Sequence, residues 1–165
     1  MFREMRRKNQ ILSLEETEEI LRNNTAGVLS VLGDEGYPYG VPLSYVYHNG
    51  KIYFHSATSG HKMDAVKETA KVSFCVIDQD QIVGEELTTY FRSAIAFGEA
   101  KILEHGDEFN EALMTLGKKY APELSEERIR QESVESTKPV AVVGIDIHHI
   151  TGKEAIELRK MKGKA

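Results

Sequence analysis

Asn49-Gly50 separates two runs, YGVPLSYVYH (39–48) and KIYFHSA (51–57), that are rich in β-branched and aromatic residues. Asn-Gly tolerates the positive φ angles of a two-residue turn whose twist matches that of paired strands, so 39–57 is expected to form an antiparallel hairpin. This is the firmest local constraint in the chain, and the other β-prone runs are read around it. They are AGVLSVLG (26–33), KVSFCVI (71–77), TTYFRSAIAFGEAKIL (88–103) and PVAVVGIDIHHI (139–150). The run 88–103 is too long for one straight strand of ordinary length, which makes Gly98 a candidate bulge or bend. Residues 78–88, DQDQIVGEELT, are polar and irregular.

Helical signals lie between and beside these runs. Ser13-Leu14-Glu15-Glu16 matches a capping box, in which hydroxyl and carboxylate satisfy exposed amides reciprocally, and predicts a helix over about 14–22. HKMDAVKE (61–68) reads as a short amphipathic helix. Phe109, Ala112, Leu113, Leu116 and Tyr120 follow helical spacing from Asp107 onward. The charged stretch 121–138 is either a second surface helix or a mobile excursion. Six antiparallel strands with helices at the ends and in the connections predict an α+β chain, mainly β, whose sheet curls into a barrel. No internal repeat or linker divides it, so 1–165 is read as a single domain with a basic arm at 1–12.

At 165 residues such a domain buries roughly two-thirds of its unfolded surface without covalent staples. Cys75 is the lone cysteine, which excludes an intrachain disulfide or a cysteine-based zinc site and suits a reducing cytoplasm. Neither a secretory leader nor an apolar run long enough for a membrane span is present, so no membrane partner is expected. The net charge of −5 argues against nucleic acid as a partner. Arg3, Arg6, Arg7 and Lys8 form one basic cluster, either a solvated arm or a contact for an anionic ligand or a partner subunit.

Chemistry is concentrated where KIYF breaks into HSATSGHK. If a strand ends near Ala57 and a helix begins near His61, then Ser56, Thr58, Ser59 and Gly60 form a loop at a helix N-terminus. Free amides, the positive end of the helix dipole and Lys62 would favour an anion there. The alternative is an ordinary strand-to-helix turn capped by Thr58 or Ser59. No phosphate-binding P-loop, nucleophile elbow or zinc-protease motif occurs. His48, His61 and His105 read as loop or helix-surface residues, and His148 and His149 cannot share a sheet face. Few acids and bases beside a candidate phosphate loop suit a protein whose cofactor carries the chemistry.

The arm MRRKNQ, the stretch GYPYGVPLSYVYHNGKIYFHSATSGHKMDAV, SAIAFGEA and the late ITGKEA occur together in one order. In that order and at those separations they resemble the pyridoxamine phosphate oxidase-like flavoproteins, most closely the nitroimidazole-resistance group of nitroreductase-like proteins. The resemblance implies a six-stranded split β-barrel with peripheral helices, forming a homodimer that binds FMN at two equivalent interface sites. It implies that Ser56 and Lys62 hold the flavin phosphate, that Pro42, Leu43 and Ser44 border the flavin ring, and that Ser93 faces the cofactor from another strand. His55 falls where this group carries a histidine near the flavin, the position for a catalytic or substrate contact. The implied activity is FMN-dependent oxidoreduction of a small molecule, with nitroimidazole-type and other heteroaromatic compounds as candidate substrates. A non-catalytic flavin- or haem-binding module, with His55, His148 or His149 as an iron ligand, is the alternative. The sequence has GHK where many relatives have GRK, and it lacks recognisable arginine and lysine signatures for gripping pyridoxamine phosphate.

Overall fold

Alternating apolar residues from distant parts of the chain assemble into one antiparallel sheet. The computed structural model describes residues 1–163. Its strands are β1 (Ala26–Leu32), β2 (Pro38–Ser44), β3 (Val46–His48), β4 (Lys51–Ser56), β5 (Lys71–Val83), β6 (Thr88–Ile102) and β7 (Ala141–Glu154). Its helices are α1 (Leu14–Asn23), α2 (His61–Glu68), α3 (Asp107–Tyr120), α4 (Glu126–Ser133) and α5 (Ile156–Lys162). The strand order is β2-β1-β5-β6-β7-β4-β3, so the sheet has seven strands and two edges. It is an α+β fold, mainly β, of the split-barrel kind, with an open hydrogen-bonded circuit.

Seven strands arise instead of the expected six because the run 39–48 divides at Tyr45. Its backbone N–H donates to the Tyr120 hydroxyl (2.9 Å), and that hydroxyl lies 2.7 Å from the Tyr45 carbonyl. Both main-chain groups are thereby withdrawn from strand pairing. Tyr45 is fully buried and donates its own hydroxyl to the Leu21 carbonyl at 2.8 Å. The expected hairpin is therefore shorter than 39–57. Only β3 and β4 pair across Asn49-Gly50, from Val46↔Tyr53 to His48↔Lys51. β2 pairs instead with β1, from Ala26↔Ser44 to Leu32↔Pro38.

The stretch 78–88 also departs from its reading as irregular. β5 runs on to Val83 and β6 returns from Thr88, pairing Gln79↔Arg92 through Val83↔Thr88. The ribbon is polar because it projects beyond the core, with Ile82 and Leu87 exposed at its tip. A register shift between Ile77 and Gln79 leaves Asp78 outside the ladder, where it meets Arg92 at 3.3 Å and Asn24 at 2.7 Å. Gly98 behaves as expected. The β6–β7 register shifts between Phe97 and Gly98, and a Cβ at Gly98 would collide with the Asp146 carbonyl.

Two apolar clusters hold the elements together. Leu29, Ile52, Phe54, Phe74, Val76 and Ile145 fill the barrel with Ile20 and Leu21 of α1. Phe109, Leu113 and Leu116 of α3 pack on Val46, Tyr53 and Val142, outside the barrel wall. Full burial of each such large side chain contributes roughly 1.5–3 kcal/mol. The stretch 121–138 contains α4, which buries Ile129 and is capped by Ser125. At the other end, Glu154 is wholly buried and is met by Lys162 at 2.9 Å, Arg159 at 3.7 Å and Arg92 at 3.8 Å, which fixes α5 against the sheet. Among the described residues, no helix is long and apolar enough to cross a membrane.

Candidate functional site

β4 and α2 meet in the corner that the sequence singles out. The chain leaves β4 at Ser56 and enters α2 through Gly60, whose φ of 114° favours glycine over any L side chain. No side chain caps this helix, so neither Thr58 nor Ser59 closes it. The Gly60 carbonyl accepts from the amides of Met63 (2.8 Å) and Asp64 (3.1 Å), while those of His61 and Lys62 point out of the first turn without an intrahelical acceptor. The Lys62 ammonium lies 5.8 Å from the centre of the Phe54 ring and, among the described residues, pairs with no carboxylate. The corner thus combines free amides, a helix dipole and an unneutralised cation, a set that suits a phosphate.

His61 does not add a ring to that set. It stacks on Tyr39 with centroids 4.2 Å apart, and its Nε2 accepts from the Asp34 amide at 3.4 Å. The histidine in GHK is engaged by the β1–β2 turn.

His55 and Ser44 come together on another side of β4. Alternation puts His55 on the same face as Tyr53, toward α3, and it is exposed. With Ser44, Leu113, Leu116 and Tyr120 it lines a cavity of about 360 Å³. A neighbouring hollow of about 170 Å³ shares His55, Leu113 and Ser133 and adds Lys138 and Glu132, so the two make one groove floored by His55. Its helical wall is fixed by the Tyr120 hydroxyl at Tyr45 and by Lys119, whose ammonium donates to the Asn24 carbonyl at 2.5 Å over the Tyr45 ring. Burial lowers the Lys119 pKa below the usual lysine value. The spacing of Leu113 and Leu116 marked them as the buried face of a helix, but nothing local marked them or Lys138 as groove residues. That role arises from long-range packing of α3 and α4.

The other expected residues are divided between faces. Cross-strand pairing runs Pro42↔Val28↔Cys75↔Ile95↔Thr151, so Pro42 lies on the outer face of the sheet. Ser93 shares that face, between Ile77 and Lys153. Leu43 points the other way and packs against the barrel core, leaving its backbone to border anything beside β2. Ser93 and Ser56 do not converge within one chain. They pair with opposite ends of β7, at Lys153 and Ala141. The outer face around Ser93 is largely apolar, with Ile77 63% and Ile95 and Phe97 each 38% exposed, and Phe2 of the arm rests against Phe97 with ring centroids 5.4 Å apart. Burial pushes up the pKa of the Cys75 thiol on this face.

The family model for pyridoxamine 5'-phosphate oxidase matches residues 13–154, which contain all seven strands. The chain belongs to this family. Members include flavin-binding proteins and flavin-dependent oxidoreductases. No curated protein is similar enough to match. Among solved structures, a candidate 5-nitroimidazole antibiotic resistance protein of Bacteroides thetaiotaomicron is similar at 23% identity and TM-score 0.70, covering 87% of this chain and 86% of that one. A conserved hypothetical protein of Mycobacterium tuberculosis superposes at TM-score 0.77 with 17% identity, over 97% and 93% of the two chains. An FAD- and haem-binding protein of Mycobacterium smegmatis gives TM-score 0.70 with 18% identity, over 90% and 74%. At these identities the likeness establishes the shared fold.

Proposed function

We propose that the chain is a homodimeric, FMN-dependent oxidoreductase acting on small heteroaromatic compounds, nitroimidazole-type molecules among them. The observation that carries this reading is the uncapped N-terminus of α2 beside an unneutralised Lys62, in a member of a flavin-binding family. Lys62, Ser56 and the first amides of α2 would hold the phosphate, and the backbone of Pro42, Leu43 and Ser44 would border the ring. Bound flavin supplies the electron transfer itself.

The rest falls to the protein's own side chains. His55 and Ser44 present polar groups to the groove, while Leu113 and Leu116 exclude water from a planar apolar guest. Separation of Ser93 from Ser56 within one chain, together with the apolar outer face, supports a second copy completing each site across that face. Reduced Cys75 suits a cytoplasmic setting.

The first test is the visible spectrum of the purified protein. A flavin spectrum, release of FMN on denaturation, and bleaching by a reduced donor followed by recovery with a nitroimidazole would support the reading. Released FAD would correct the cofactor, and a Soret band would favour the haem-binding module. Against the latter, the His149 ring is covered by Phe2, stacked with centroids 4.6 Å apart. Protein that stays colourless with excess FMN would overturn the proposal.

A further inference from the structure

The groove beside His55 changes character along its length. At the Ser44 end it is walled by Leu113 and Leu116, and at the other end by the segment that joins α4 to β7. The β4–β7 register fixes where that segment arrives. Ser56 pairs with Ala141 and His55 with Val142, so Lys138 and Val140 come in alongside the last residues of β4. His55, Lys138 and Val140 accordingly line the same hollow of about 170 Å³. Lys138 also lines the next one, of about 260 Å³, together with Thr58 of the loop before α2. It therefore stands between the groove and the flavin corner.

The polar groups of the smaller hollow differ in what they already hold. The Glu132 carboxylate is taken by Arg128 at 2.7 Å, and the Ser133 hydroxyl donates to the Ile129 carbonyl at 2.7 Å. The Ser136 hydroxyl accepts from the Lys138 amide at 3.3 Å, which leaves its own hydrogen to give. Lys138 is exposed, and among the described residues its ammonium meets no carboxylate. His55 likewise has no side-chain partner there and offers one ring N–H in either neutral tautomer. What remains for a guest is three donors, one of them a full positive charge, in a chain whose net charge is −5. An anion satisfies such a set through charge-assisted hydrogen bonds, whereas a neutral guest leaves the charge unmet. Leu113 and Val140 supply an apolar lining for a ring beside the donors.

We infer that the groove takes heteroaromatic acids. The ring lies along Leu113 and Leu116, and a carboxylate on it accepts from the Lys138 ammonium, with Ser136 and His55 as further donors. This names the substrate class within the proposed function and rests on that reading's placing of the substrate in the groove. Lys138 is then a specificity residue and not an anchor for the cofactor.

Nicotinate and nicotinamide share a ring and differ in the charge, so calorimetric titration of the flavin-loaded protein with each reads the site by binding alone. Nicotinate should bind about tenfold or more tightly than nicotinamide. Lys138→Gln should erase that preference, and Lys138→Arg, which keeps the charge, should retain it. FMN affinity, read by fluorescence titration, should be the same in Lys138→Gln as in the parent protein. Nicotinate that binds no better than nicotinamide, or a preference that survives Lys138→Gln, would overturn the inference. So would an FMN affinity that falls with Lys138→Gln, because the ammonium would then belong to the cofactor. A preference that vanishes with Lys62→Ala would do the same, by placing the carboxylate in the α2 corner. Protein that takes up no FMN breaks the flavin reading alone, since the same titration on it still decides for or against the Lys138 site.

Discussion

Two helix N-termini in this chain are built in opposite ways. At α1 the Ser13 hydroxyl accepts from the Glu16 amide (3.1 Å), and Glu16 accepts in return from the Ser13 amide (2.9 Å). The helix end is closed by its own side chains, with Glu16 further tied to Lys162 at 2.9 Å. At α2 the N-cap is Gly60, and among the described residues no side chain reaches back and no carboxylate pairs with the nearby Lys62. Hydroxyl residues for a cap are present one and two positions earlier, as Ser59 and Thr58, yet they are not used. The contrast separates a terminus closed by its own side chains from one left open, the end to which the proposed function assigns the flavin phosphate.

The sharpest break of that contrast is Lys62→Ala. Loss of a charge-assisted hydrogen bond to phosphate should weaken FMN binding by roughly 1.5–3 kcal/mol, read by fluorescence titration, while the melting temperature of the flavin-free protein holds. A melting temperature that falls with no loss of affinity would make Lys62 a packing residue on Phe54. Ser13→Ala should act in the opposite register. It should lower the unfolding free energy by about 1 kcal/mol in urea titration and leave FMN affinity where it was.

The sequence exposes this difference only in part. Ser13 and Glu16 are three residues apart on one helical turn, so their pairing is a local event and was legible as a capping box. Whether Thr58 or Ser59 caps α2 depends on the φ that Gly60 adopts where β4 feeds the helix, and spacing alone left both outcomes open. The same division runs through the fold. Gly98, α3 and most strand runs follow local rules of bulge, spacing and alternation. The break at Tyr45 does not, because the group that takes its N–H belongs to Tyr120, 75 residues later. The ribbon at 78–88 was hidden for a different reason: both of its faces meet solvent, so the alternation that marks a half-buried strand is missing. The His55 groove is legible on its strand side and not on its helical side.

A smaller effect follows from making α2 resemble α1. Ser59→Asp places a carboxylate at the open helix end, where it should stabilise the flavin-free protein by about 0.3–1 kcal/mol through the dipole. The same charge competes with the phosphate, so FMN affinity should fall as stability rises. Thermal melts and flavin titration on one preparation read both signs. A parallel rise in both would show that the loop mouth is not where the anion sits.

The smallest expected effect is the acid response of the closed terminus. The Ser13 amide, and after it the Lys162 ammonium, lower the Glu16 pKa from 4.5 to about 2. A carboxylate with a depressed folded pKa contributes stability that is fully present above its unfolded value and is lost as pH falls through the folded one. The window therefore runs from about 4.5 down to about 2. Because the carboxylate stays partly open to solvent, with 27% of the side chain exposed, screening reduces the contribution and it should stay below that of Ser13→Ala. Glu16→Gln should flatten the fall in unfolding free energy across this window, with little change between its pH 5 and pH 7 values. The order of causes makes a finer test possible. Salt near 1 M shortens electrostatic reach to about 3 Å and weakens the Lys162 part, but it leaves a direct amide-to-carboxylate hydrogen bond in place. Most of the acid limb should survive high salt, and its disappearance there would assign Glu16 to the ion pair with α5 instead of the cap of α1.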